Sequence, residues 1–214
     1  MKQEQRSRKA RQQIFASALS QFSHGFGSTS VDDIAEQSGV SKGNVYHHFP
    51  DKETIFRTLL DQYFQTLSAT GFPLNRVLAS GVFPENLEEL AFTVRDLVRT
   101  HRESIALIYV DVAEFDAAHV RWFYEEMAAR FGAFLKAEGM EQSLQARLAA
   151  DLSPTSAVIL ATRIFLDYFA IEILFGVKDH FGKGTDEVIG EIAEVLRHGM
   201  LRNRRPRRSR RKPA

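Results

Sequence analysis

Apolar residues in this chain recur every three to five positions almost from end to end, and no run alternates as a half-buried strand would. That periodicity leaves little room for a sheet. In residues 6–24, Ala10, Ile14, Phe15, Ala18, Leu19 and Phe22 lie on one helical face, and Gly25 and Gly27 then interrupt it. Ser30 is a good N-cap for a short helix that ends at Gly39, with Asp32 and Asp33 in its first turn, where carboxylates favour the helix dipole. Ser41 caps a second short helix to about His48, which Pro50 stops. Asp51 caps a longer one to about Ala69. After the break "TGFPLN", helical patterns follow at about 85–102, 104–114, 117–138, 143–151, 154–175 and 186–201. The expected fold class is all-α, and no fixed-period repeat is visible.

Charge divides the chain more sharply than its net of +1 suggests. Residues 1–60 carry 8 Lys and Arg against 6 Asp and Glu, residues 61–201 carry 12 against 21, and the end "RNRRPRRSRRKPA" (202–214) carries 8 against none. A mildly basic head could meet a polyanion, an acidic body would not, and the basic end is expected to be a disordered tail. The absence of cysteine excludes disulfides, thiolate nucleophiles and zinc-thiolate sites, and fits a reducing cytoplasm. A secretory signal is not expected, because the first eleven residues are polar and basic. The apolar stretch 154–176 approaches membrane-spanning length, but Arg163, Asp167 and Glu172 would be costly there, so it reads as a buried helix and no membrane contact is expected.

The stretch "SGVSKGNVYHHFPDKETIF" (38–56) carries the chemistry. Two short helices joined by "SGVS" form a helix-turn-helix, with Gly39 freeing the turn and Ile34, Ala35, Val40 and Val45 as its small core. The second helix shows Lys42, Gly43, Asn44, Tyr46 and His47 outward. Lys, Asn and His are donors suited to base edges and phosphates, Tyr46 can bond a phosphate, and Gly43 lets a backbone come close. Lys52 sits in a first turn beside free N–H groups that suit an anion. His47 and His48 do not read as a metal site, since adjacent helical positions point about 100° apart. His48 and Phe49 are expected to pack against the helix that follows.

The stretch "GFGSTSVDDIAEQSGVSKGNVYHHFPDKETIF" (25–56) resembles the DNA-binding domain of the TetR (tetracycline-repressor-like) family of bacterial transcriptional regulators, over roughly residues 8–65. "TSVDDIA", "SGVSKGNVYHHF" and "DKE" stand at the family's spacing. Two residues separate Phe22 from Gly25 where the family commonly has three, so the first helix must close differently. The resemblance implies a three-helix head at 1–52 continuing into a fourth helix to about 67, and a helical effector-binding and dimerisation body at 68–201. It implies groove contacts by Lys42, Asn44 and His47, and phosphate contacts by Ser30, Ser41, Tyr46 and Lys52. It further implies a repressor released from a palindromic operator by a small-molecule effector.

The body is rich in aromatic residues, and most of these read as core. Polar groups within its apolar helices suggest an effector site, with Tyr109, Glu114, Trp122, Arg163, Asp167 and Tyr168 as candidates. Asp111, Glu114 and His119 read as partly solvated rather than as a metal cluster, and neither metal nor cofactor is expected. The stripe Val188, Ile189, Ile192, Val195, Leu196 and Met200, with the 154–175 helix, is expected to form a four-helix homodimer interface. Two other readings stay open: a nucleoid-type DNA binder without effector, and an enzyme with its site in the body. No nucleophile elbow, phosphate loop or HExxH motif supports the enzyme.

Overall fold

A computed structural model describes residues 2–69, 71–149 and 151–201. The basic end 202–214 lies outside the described residues, and with it the expectation of a disordered tail. The helices are α1 (Lys2–Phe22), α2 (Val31–Ser38), α3 (Lys42–His48), α4 (Lys52–Ser68), α5 (Pro73–Ala79), α6 (Leu87–Thr100), α7 (Arg102–Phe115), α8 (Arg121–Glu125), α9 (Met127–Ala137), α10 (Glu141–Arg147), α11 (Pro154–Ile173) and α12 (Thr185–Met200). Among the described residues the only strand-like feature is an isolated antiparallel bridge between Leu148 and Leu201. None of their helices is long and apolar enough to cross a membrane.

The head, α1 to α3 with the start of α4, closes over Ile14, Ala18, Phe22, Ile34, Val45, Ile55 and Phe56, which are essentially buried. In the body, α6 and α11 pack against each other most extensively, and α12 lies on α6. Helix α7 reaches both α1 and α4, so it is a part of the body that meets the head. Helix α4 passes from one to the other, its Phe64 stacked on Phe123 at 4.0 Å between ring centres.

Several expectations change. The pattern at 117–138 is not one helix: Asp116 and Ala117 take positive φ (54° and 61°), helix begins only at Arg121, and it bends at Glu126. The cause is Asp111, whose carboxylate accepts the amides of His119 and Val120 and holds them in a turn. The segment read as a break holds α5, with Pro73 at a position that suits its fixed φ. Asp111 is fully buried rather than partly solvated, while Arg163 and Asp167 are exposed rather than buried. Phe49 is buried and packs on α1, with Phe15 at 5.1 Å and the Arg11 guanidinium over its ring. The α12 stripe is mostly consumed within its own chain: Val188, Ile189, Leu196 and Met200 are buried, Ile192 is half-buried, and only Val195 is well exposed.

Candidate nucleic-acid interface

The caps fix the helix-turn-helix. Ser30 Oγ accepts the Asp33 amide, and the Asp33 carboxylate in turn accepts the Ser30 amide, a reciprocal pair that satisfies two free donors of α2. The Ser30 hydroxyl, donating to the same carboxylate, holds Asp33 below the usual carboxylate range. Gly39 closes α2 in the left-handed region at φ 67°, where a side chain would be strained. Ser41 then caps α3 through the Asn44 amide, and Asp51 caps α4 through Thr54.

On α3, Val45 is buried as the anchor, and Lys42, Gly43, Tyr46 and His47 are exposed, with Asn44 half-buried. Lys42 Nζ lies 2.8 Å from Asp32, which raises its pKa. The His47 and His48 rings stand 5.4 Å apart and nearly perpendicular. His48 is half-buried, and burial holds it below the ordinary histidine value, with His47 and Arg11 adding to the effect. Among the described residues, no group of three or more His, Asp or Glu side chains is placed to hold a metal ion.

Beside α3 an open concavity of about 510 Å³ is lined by Gly27, Ser28, Thr29, Ser30, Tyr46 and Lys52 among others. It gathers three of the expected phosphate-contact residues; Ser41 stands apart. Lys52 does not project freely. Its ammonium donates to the carbonyls of Phe26 and Thr29, both at 2.9 Å, and lies 4.1 Å from the Phe26 ring centre.

With this geometry in place, comparison with known proteins decides the family of the head. Residues 14–59 match the family described as bacterial regulatory proteins, tetR family. The head is a tetR-family domain. Among curated tetR-like relatives, the HTH-type transcriptional repressor KstR2 of Mycobacterium tuberculosis is 31% identical over 110 residues, 48% of this chain and 50% of that protein. The HTH-type transcriptional regulator RutR of Escherichia coli is 41% identical over 61 residues, 26% and 29% of the two chains. The matched stretch thus spans at most about half the length of these relatives. Among solved structures, the SCO4942 protein of Streptomyces coelicolor covers 89% of this chain and 98% of its own at a TM-score of 0.61 and 18% identity. NalD of Pseudomonas aeruginosa covers 92% and 99% at 0.59 and 19%. Those likenesses show that about nine tenths of the chain, and not the tetR-family head alone, has this fold.

The six effector candidates do not gather in one place. Tyr109 is exposed, in ring contact with Phe175 and under the electrostatic influence of Asp167, Tyr124 and Arg163. Arg163 lies over the Tyr124 ring at 5.3 Å. Trp122 instead packs its edge on Phe64 and carries Arg130 over its face. Tyr168 is buried; its hydroxyl donates to Glu172, and burial with that carboxylate pushes it up to about 12. Glu114 points the other way, toward the head. Its carboxylate accepts the amides of Phe26 at 2.9 Å and Gly27 at 2.6 Å. Sequence reading missed the partners on that loop, although the Gly25–Gly27 spacing was the available signal.

Proposed function

We propose that this protein is a DNA-binding transcriptional repressor that acts as a homodimer on a palindromic operator and is released by a small hydrophobic effector. The observation that carries the DNA reading is α3 itself, anchored by Val45 and presenting Lys42, Gly43, Tyr46 and His47 to solvent. Lys42, Asn44 and His47 read base edges in the major groove, and Ser30, Ser41, Tyr46 and Lys52 engage phosphates, with Gly43 allowing close approach. Membership of the head in the tetR family and the roles of KstR2 and NalD as repressors support this reading. Residues 1–52 with α4 would act as the reading head, 68–201 as the effector and dimer body, and the setting would be the cytoplasm.

The dimer surface we propose is the outer side of α11 and α12, where Leu160, Ile164 and Val195 are exposed. The effector surface is assigned to Tyr109, Tyr124 and Phe175 beside Arg163, which offer apolar area and one cation.

Selection of duplexes from a random pool by the purified chain tests the core of this reading. A palindromic consensus is the expected result, and its loss in a Lys42→Ala/Asn44→Ala/His47→Ala variant that remains folded supports α3 as the reader. A chain that enriches no sequence refutes it.

A further inference from the structure

We propose that Glu114, a residue of the body, is a positioning residue for DNA binding: it shapes the loop between α1 and α2 into a phosphate-gripping wall. The inference rests on the DNA reading above and deepens it.

The loop is built to receive a carboxylate. After α1, the amides of Ser23, His24 and Gly25 turn back onto Leu19, Gln21 and Phe22, so the chain leaves the helix within three residues. Gly25 takes φ 140°, where a side chain would also meet Ser28 Oγ at 2.9 Å. The next two amides, Phe26 and Gly27, then point the same way, and the two oxygens of Glu114 take one each. Consecutive amides converging on one anion form the concave arrangement that backbone uses to bind anions. Here the anion comes from 87 and 88 residues further along the chain. A Cβ on Gly27 would stand 3.1 Å from Glu114 Oε2, so the close approach depends on glycine.

The opposite side of the loop is held as firmly. Lys52 takes the carbonyls of Phe26 and Thr29, and the Phe26 ring lies between Phe22, Phe56 and Phe115, the last at 4.6 Å. Amides to Glu114 and carbonyls to Lys52 leave the loop one conformation. That conformation sets Ser28, Thr29 and Ser30 along the concavity that also holds Tyr46 and Lys52. Three of those groups are the phosphate contacts of the proposed reading, so their spacing relies on Glu114 although Glu114 touches no DNA.

Glu114→Gln separates positioning from charge. A glutamine has one acceptor oxygen, so one of the two amides loses its partner, and its own N–H₂ faces that amide. Removing a negative charge would by itself strengthen binding to a polyanion. Positioning therefore predicts the opposite sign: affinity for the selected operator falls about tenfold, and the slope of log K against log salt flattens by about 0.9 for each phosphate that the protein no longer neutralises. In amide NMR spectra of the full chain, the Phe26 and Gly27 resonances should move while those of α6 and α11 stay. Gly27→Ala, which crowds the same carboxylate without changing charge, should give a smaller loss, and the double variant less than the sum. A Glu114→Gln chain that binds operator as tightly or more tightly, with an unchanged salt slope, overturns the proposal. So do Phe26 and Gly27 resonances that do not move. A wild-type chain that selects no DNA at all fails the underlying reading instead, and is told apart because no variant enters that result.

Discussion

His119 Nδ1 lies 2.6 Å from Oδ1 of Asp111, a carboxylate with no solvent exposure. The other oxygen of Asp111 accepts the amides of His119 and Val120 at 3.2 and 3.1 Å. One buried anion thus takes three hydrogen bonds from the turn that follows α7. His119 carries this arrangement to the head: its ring is 5.9 Å from Phe56 and its Nε2 is 3.4 Å from Glu53, both on α4. The turn and one of the head–body contacts share this side chain.

Asp111→Ala should therefore be among the most destabilising single changes in the body. It leaves a ring N–H and two amides without their acceptor in a dry site, at a cost of about 3 kcal/mol. Asp111→Asn keeps an acceptor for some of them and should cost less. Urea denaturation followed by circular dichroism measures both, and an alanine variant within about 0.5 kcal/mol of wild type contradicts the assignment.

Stability should also fall in mild acid. Burial holds His101, against Tyr63 and Phe72, below the ordinary histidine value of 6.5, and His48 is lowered in the same direction. Below pH 6.5 the unfolded chain binds these protons before the folded chain does, so the folded state loses ground as pH falls and the loss is complete once the folded values are passed. His101→Phe removes its share. The drop in urea midpoint between pH 7.5 and pH 5.5 should be smaller in this variant than in wild type, and an equal drop means that His101 has no part in it.

The head was far more legible in sequence than the body, for a physical reason. Ser30, Gly39, Ser41, Pro50 and Asp51 act on their own few residues, and local chemistry can be read locally: the structure starts or stops a helix at or beside each. Asp111 and Glu114 act across the fold, on amides 8, 9, 87 and 88 residues away. Nothing in their neighbourhood announces that reach, so both looked like polar interruptions of an apolar helix. The α12 stripe misled differently, since a broad apolar face shows that a helix is covered and not whether its own chain or a second copy covers it. Val195 is 73% exposed while Leu196 beside it is 8% exposed, a distinction available only in three dimensions.

That distinction gives the dimer a clean test. Val195→Arg and Ile164→Arg place charge on exposed positions, so each chain should stay folded while the proposed interface is abolished. Leu196→Arg instead puts an unpaired charge in the core and should unfold the subunit. Sedimentation at micromolar concentration, with circular dichroism as the check on folding, should show a folded monomer for the first two. A Val195→Arg/Ile164→Arg chain that remains dimeric places the interface elsewhere.

Lys42 and Asp32 form an ion pair at 2.8 Å between α3 and α2. Both side chains are more than half exposed, so solvent screens the pair and it contributes little to stability. Its interest lies in DNA binding. If Lys42 reads a base edge, it must leave Asp32 to do so, and the abandoned carboxylate then lies near a polyanion. Lys42→Ala should lower affinity for the selected operator by about 1–3 kcal/mol and relax preference at one base position. Asp32→Ala should do the reverse for all duplexes, raising affinity modestly, because it frees Lys42 and removes a repulsive charge. The double variant separates the two effects. If Asp32 acts through Lys42, its removal changes little once Lys42 is gone; if it acts by repelling phosphate, the gain persists. Fluorescence anisotropy across a salt series reads all three chains, and a Lys42→Ala protein with wild-type operator affinity removes Lys42 from the reading face of α3.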